Sequence, residues 1–196
     1  MIKQTEILKI EIEEDSAWIG EKWKMPNSSK GYHGLLKTWF DHFGLKGKGI
    51  LIGEMNSELS EIFKKRYPEC AVQTSDIAEN PEEGLYPDIH WNICNRKQTE
   101  DLKLKVDFII CHAVLEHVVD PYGAIYNMMS TLKRGGRLYI HTHSPKFQEH
   151  RFPVDCYRFL RDVWFEIAKS LDIKIDDLLW LDRHCFIVYN KTHNDF

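Results

Sequence analysis

Along most of this chain, short apolar runs alternate with stretches of helical spacing. From Gly34 onward, Leu35, Leu36, Trp39, Phe40 and Phe43 fall on one helical face, and Gly44 and Gly47 end that segment. GILI at 49–52 is an apolar run of the kind a buried strand shows. The next helix is expected with Asn56 or Ser57 as N-cap, Glu58 and Glu61 in its first turn, Leu59, Ile62 and Phe63 inward, and Pro68 as its stop. Strands are predicted over 71–74 (running into Asp76), over 88–94, and over VDFIIC at 106–111. Asp120 and Pro121 read as N-cap and first-turn proline of a helix with Ala124, Ile125, Met128 and Leu132 inward. Gly135 and Gly136 close that helix, and RLYIHTH follows as a strand. A helix over 161–171 carries Val163, Ile167 and Leu171, and strands over 178–181 and 185–189 end the chain.

Strands alternating with helices predict a mostly parallel sheet. The last two strands are too close in sequence for a parallel crossover, so they form an antiparallel hairpin. Residues 1–30 stand apart as an N-terminal extension to a domain over 31–196. In the extension Leu8, Ile10 and Ile12 alternate with charged residues as on a short strand, and Asn27, Ser28 and Ser29 read as a break. Trp18, Trp23 and Tyr32 are candidates either for a lid or for packing onto the sheet.

A chain of 196 residues can bury a sizeable core. Its net charge of −4 gives no support to nucleic-acid binding through phosphate neutralisation. Five scattered cysteines, with no Cys-x-x-Cys pair, point to neither a disulfide framework nor a cysteine zinc site. No stretch has the length of a membrane span, and the N-terminus lacks the apolar core of a signal peptide, so a cytoplasmic protein is expected. Oligomeric state has no signature here.

The stretch VDFIICHAVLEHVVDPYGAIYNMMSTLKRGGRLYIHTHSP at 106–145 closely resembles class I S-adenosylmethionine-dependent methyltransferases. The matching parts are the fourth strand, the Leu-Glu-His-Val turn, the Asp-Pro helix start and the Leu-Lys-x-Gly-Gly lead into the fifth strand. HRFPVDCYRF at 150–159 is similar to a sub-group that modifies small molecules and cell-surface sugars. The resemblance covers roughly residues 34–190. It implies a three-layer α/β Rossmann-like fold, with a mostly parallel seven-stranded sheet and an antiparallel C-terminal hairpin. It also implies S-adenosylmethionine as cofactor.

In that family the cofactor's methionine end meets the turn after the first strand, where an acid and Gly-x-Gly-x-Gly let the backbone come close. LIGEMNS at 51–57 keeps Gly53 but has Leu51 for the acid and Met55 and Ser57 for the other glycines, with Glu54 the nearest substitute carboxylate. Asp76, 23 residues after Gly53, is placed to accept both ribose hydroxyls. The resemblance also assigns Asn92 and Ile93 to the adenine, and His112, at the tip of the fourth strand, is a candidate contact to cofactor or substrate.

Period two puts Tyr139, His141 and His143 on one strand face, with His143 nearest the carboxyl end where open α/β sheets bind ligands. His143 or His150 is the candidate base, and Asp155 is a candidate to orient His150. Tyr157 and Arg158 are candidate acceptor-binding residues, although Asp155 and Arg158 would equally serve to fix the loop. His117 reads as structural. His141, His143, His150 and Asp155 contain ligand-type side chains but complete no ligand spacing, so no metal is expected.

Two further readings stand beside a methyltransferase acting on a small polar, sugar-derived acceptor. One is a cofactor-free binding or scaffolding protein, which the altered glycine loop favours. The other is an enzyme of metal-assisted chemistry in the same cleft.

Overall fold

The apolar runs at 49–52 and 106–111 become neighbouring centre strands of one twisted sheet. The computed structural model describes residues 11–13, 16–19, 40–56, 58–151, 153–181 and 183–193. Trp23, Tyr32, Ser57 and most of the helix expected from Gly34 lie outside the described residues, which include its last helical residues, 40–43. Among the described residues the strands are β1 (Glu11–Glu13), β2 (Ser16–Ile19), β3 (Gly47–Ile52), β4 (Cys70–Asp76), β5 (Ile89–His90), β6 (Val106–His112), β7 (Leu132–His143), β8 (Lys174–Trp180) and β9 (His184–Asn190). The helices are α1 (Glu58–Arg66), α2 (Arg96–Glu100), α3 (Pro121–Thr131) and α4 (Asp162–Leu171). No helix among the described residues is long and apolar enough to cross a membrane.

The strand order is β1-β2-β8-β9-β7-β6-β3-β4-β5. Parallel pairing joins β7, β6, β3, β4 and β5, and β9 runs antiparallel to both β7 and β8. The expected seven-stranded sheet and its closing hairpin are therefore present. The N-terminal hairpin of β1 and β2 lengthens the sheet at β8. This places the backbone of residues 16–19 alongside the last-but-one strand.

Alternation along each strand divides the core in two. Ile50, Ile52, Ile109, Cys111 and Ile140 face α3 and α4, meeting Ile125, Met128, Trp164 and Ile167. Leu51, Phe108, Ile110, Tyr139 and Phe186 face the other way, toward Phe40 and Tyr67. Burying one such side chain stabilises the fold by roughly 1.5–3 kcal/mol. The result is three layers, with the carboxyl ends of the parallel strands gathered along one rim.

Two expected elements come out differently. The strand expected over 88–94 is only Ile89–His90, because Asn92 Oδ1 accepts the Cys94 amide and turns the chain into α2, whose N-cap is Asn95. Gly135 and Gly136 do not end α3. That helix stops at Thr131, and the glycines already belong to β7, exchanging backbone bonds with Lys191 (2.7 and 3.0 Å). Asp120 does cap α3, accepting the Gly123 amide at 2.8 Å, with Pro121 behind it.

Candidate active site

Gly53 leaves β3 with φ +76°, and a Cβ there would stand 2.4 Å from Val114 Cγ2. Glycine is thus required twice, by the left-handed backbone and by the closeness of the turn after β6. The amides of Gly53 and Glu54 donate to the Ser75 carbonyl, and the Asn56 amide donates to the Tyr86 carbonyl. Asn56 Nδ2 also reaches Asp88. Leu51, in the place of the family's acid, is buried in the core. Replacing Gly53 with alanine is expected to cost about 1–3 kcal/mol of stability; thermal denaturation checks it, and an unchanged midpoint would show that Val114 simply moves aside.

Asp76 ends β4 half-buried, with Oδ1 accepting the Ala78 amide. Asn92 is exposed, but its side-chain oxygen is spent on its own turn. Ile93 is buried within the core beneath α3 and Met55 is half-buried. An S-adenosylmethionine molecule would find a suitable carboxylate for its ribose in Asp76. At the methionine end the amides of Gly53, Glu54 and Asn56 are engaged within the protein, and Glu54 is the carboxylate nearest the turn. The residues present would suit the cofactor at the ribose through Asp76, and its methionine end would meet a loop with one glycine where the family has three.

The other half of the rim is built by the ends of β6 and β7. Ala113 takes φ 52°, an uncommon conformation for a residue with a side chain, and its amide donates to the His141 carbonyl. The chain then tightens into a 3-10 turn over Leu115–His117, which drives Glu116 inward until it is wholly buried. Glu116 Oε2 accepts from Thr142 Oγ1 at 2.7 Å. Its Oε1 lies 2.8 Å from His143 Nδ1, close but poorly aligned with the ring N–H, and 3.8 and 3.9 Å from Nε2 of His150 and His117. His143 Nδ1 also faces His150 Nε2 at 3.0 Å. Three imidazoles therefore surround one buried carboxylate.

Burial pushes the Glu116 carboxyl up, but His143 and the Thr142 hydroxyl more than offset it, and the net shift is downward. Burial, with like charge from His143 and His117, lowers the His150 pKa. For His184, burial and then His143 and Arg183 lower it to about 4.

Residues 154–159 strap this cluster in place. The amides of Cys156 and Tyr157 donate to the Glu116 carbonyl, that of Phe159 donates to the His143 carbonyl, and His117 Nδ1 meets the Val154 carbonyl. His150 and Asp155 do not form the expected acid–base pair. Asp155 accepts both guanidinium nitrogens of Arg158 at 2.5 Å and the His150 amide at 2.7 Å, so it holds the loop and leaves the His150 ring alone. The Arg158 guanidinium beside it holds its carboxyl down to about 2. Arg158 is correspondingly committed, also donating to the carbonyls of Phe147 and Gln148, and the Tyr157 hydroxyl donates to the Val119 carbonyl. Neither polar group is held ready for an acceptor; these residues line a shallow depression of about 240 Å³ with Phe147, Glu149 and Cys156.

The two candidate bases, His143 and His150, lie side by side, and they are joined by Glu116 and His184, which the sequence alone does not single out. The signal for Glu116 was an acid inside the apolar run Val-Leu-Glu-His-Val. His112, at the end of β6, stacks on His141 with ring centroids 4.9 Å apart.

Comparison with known proteins agrees with this layout. A family model described as a methyltransferase domain matches residues 36–183. A ubiquinone biosynthesis O-methyltransferase of Coxiella burnetii is 25% identical over 169 residues, spanning 78% of this chain and 70% of that protein. A SAM-dependent methyltransferase from Archaeoglobus fulgidus superposes with a TM-score of 0.59 at 14% identity, covering 80% of this chain and 93% of that one. The Burkholderia thailandensis 1,6-didemethyltoxoflavin-N1-methyltransferase, solved with its substrate and S-adenosylhomocysteine, gives 0.56 at 13% identity, covering 93% and 98%.

Proposed function

The chain belongs to the methyltransferase-domain family, and on that premise we propose that it methylates a hydroxyl of a small acceptor, with His150 as the base. The observation that carries this reading is the buried Glu116 held against His143 and beside His150 at the carboxyl ends of β6 and β7. When bound, S-adenosylmethionine supplies an electrophilic methyl group on a sulfonium. Asp76 would accept hydrogen bonds from its ribose hydroxyls, and Glu54 is the carboxylate that would serve its ammonium. His150, about one-third exposed and the most accessible ring around Glu116, takes the acceptor's hydroxyl proton. His143 and Glu116 hold that ring in position from behind.

A hydroxyl acceptor suits this arrangement because an alcohol or phenol must lose a proton on methylation. The O-methyltransferase name of the Coxiella relative agrees. Val119, Val154, Tyr157 and Leu160 are exposed along the strap beside the cluster. That apolar rim favours an acceptor with a ring or chain next to its hydroxyl, and weighs against the bare sugar that the 150–159 resemblance implies.

Calorimetric titration with S-adenosylmethionine and S-adenosylhomocysteine tests the cofactor half. Asp76→Ala is expected to weaken binding about tenfold or more, roughly 1.4 kcal/mol. Wild-type protein that is folded yet binds neither ligand sinks the methyltransferase reading in favour of a cofactor-free binding protein. Incubation with phenols, catechols and hydroxylated sugars, read by mass spectrometry for an added methylene, tests the acceptor half.

A further inference from the structure

The base and its buried carboxylate leave part of the histidine cluster unused. His141 and His143 share a face of β7, and β9 runs beside it in a register that sets His184 opposite His143 and Phe186 opposite His141. Each of the three rings offers a nitrogen within 4.8 Å of the other two. His141 Nε2 and His184 Nδ1 are 3.0 Å apart. The ring centroids form a nearly regular triangle, with sides of 5.1, 5.6 and 5.7 Å.

A zinc-type ion holds imidazole nitrogens at about 2.0–2.1 Å, which sets tetrahedral donors roughly 3.4 Å apart and their ring centres roughly 5 Å apart. The observed triangle has that size. We propose that His141, His143 and His184 form a three-histidine site for a divalent transition-metal ion of the zinc class.

Three features of the surroundings support it. Glu116 Oε1 lies 2.8 Å from His143 Nδ1, so a buried carboxylate stands beside one ligand ring, the kind of supporting group that metal-bound histidines commonly have. Phe147 stacks on His143 at 3.6 Å and Phe186 lies 4.7 Å from His141, so the ligands sit in an apolar wall. His184, half-buried at the start of β9, opens the set on one side, which leaves a fourth position for water or an acceptor oxygen. A second grouping, Glu116, His117 and His150, also lies within ligand reach of one ion. It is the weaker candidate because Glu116 already serves Thr142 and His143.

The site does not depend on methyl transfer, and its test reads the metal alone. Tag-free full-length protein, stripped with a chelator and titrated with zinc(II), is expected to take up one ion per chain. Cobalt(II) in its place is expected to give the visible absorption of a four-coordinate, nitrogen-rich centre. His184→Asn, at an accessible strand start, is expected to weaken zinc binding by about 100-fold or more, since loss of a ligand exceeds the 10–100-fold cost of losing a supporting group. His117→Gln leaves it unchanged, and circular dichroism confirms that both variants are folded. Wild-type protein that takes up no ion overturns the proposal. So does uptake that survives in His184→Asn, and loss confined to His117→Gln assigns the ion to the second grouping instead. Should His184→Asn fail to fold, the wild-type cobalt spectrum still decides: an octahedral or oxygen-dominated centre refutes the three-histidine site.

Discussion

Replacing Glu116 with glutamine is expected to lower the rate of methyl transfer by about 10²–10³-fold, or roughly 2.7–4 kcal/mol of transition-state stabilisation. The amide has nearly the carboxylate's shape but not its charge, so the fold survives while the cluster loses its anion. Glu116 Oε1 then no longer attracts His143 Nδ1 across 2.8 Å, and the ring facing His150 at 3.0 Å loses its anchor. The loss is expected in kcat, because Glu116 is wholly buried and its carboxylate is spent on Thr142 and His143. Affinity for S-adenosylmethionine, measured separately by calorimetry, is expected to be unchanged. A variant within about threefold of wild type in kcat would place the base elsewhere.

The second large effect concerns stability. Lys191, just past β9, is wholly buried, and its ammonium donates to the carbonyls of Met129, Ser130 and Leu132 at 2.9, 3.3 and 2.8 Å. These acceptors lie at the carboxyl end of α3, where a helix leaves its carbonyls unpaired and its dipole is negative. Lys191→Met keeps the stem but strands three buried acceptors, each worth about 1–3 kcal/mol when unsatisfied. The saved cost of burying a charge returns part of that. A net loss of roughly 2–4 kcal/mol is expected, seen as a fall of about 5–15 °C in Tm.

Burial, with a contribution from Lys103, lowers the Lys191 pKa to about 8. Between that value and the ordinary lysine value of about 10.4, the unfolded chain holds a proton that the folded chain has released. Wild-type stability therefore rises with pH through this window, by at most about 1.4 kcal/mol per unit, and Lys191→Met lacks the slope. Denaturant melts of both proteins from pH 7 to 10 check the sign. Equal slopes would mean that the folded lysine keeps its proton.

Much of the framework could be read from local patterns. Ile50, Ile52, Ile109 and Cys111 are apolar because centre strands of a parallel sheet are covered on both faces, and such runs show without any knowledge of their neighbours. Asp120 and Pro121 announce the start of α3 because capping is a matter of adjacent residues. The Asp155–Arg158 bridge could be weighed from its three-residue spacing, and the structure decided for it. Residues 88–94 misled because an apolar-polar run looks like a strand until Asn92 turns it.

The site was legible only in part. His141 and His143 share a face by period two, and His150 follows them closely. Nothing local marks Glu116 as buried, since its burial depends on Thr142, 26 residues away, closing over it from the next strand. His184 carried no local mark at all. Its pairing with His141, 43 residues distant, comes from the antiparallel return of β9.

By itself, then, the sequence determined most of the order and type of the elements, the family resemblance, the surviving Gly53 and an acid, Asp76, at a strand end. These rest on spacing within one segment, where backbone geometry links neighbours directly. Only the tertiary structure decided that Glu116 is buried among three imidazoles, that Arg158 is spent on its own loop, and that His141, His143 and His184 form a triangle. Those depend on the lateral register of strands far apart in the chain, and register is set by packing the whole sheet between its helices, which no single segment encodes.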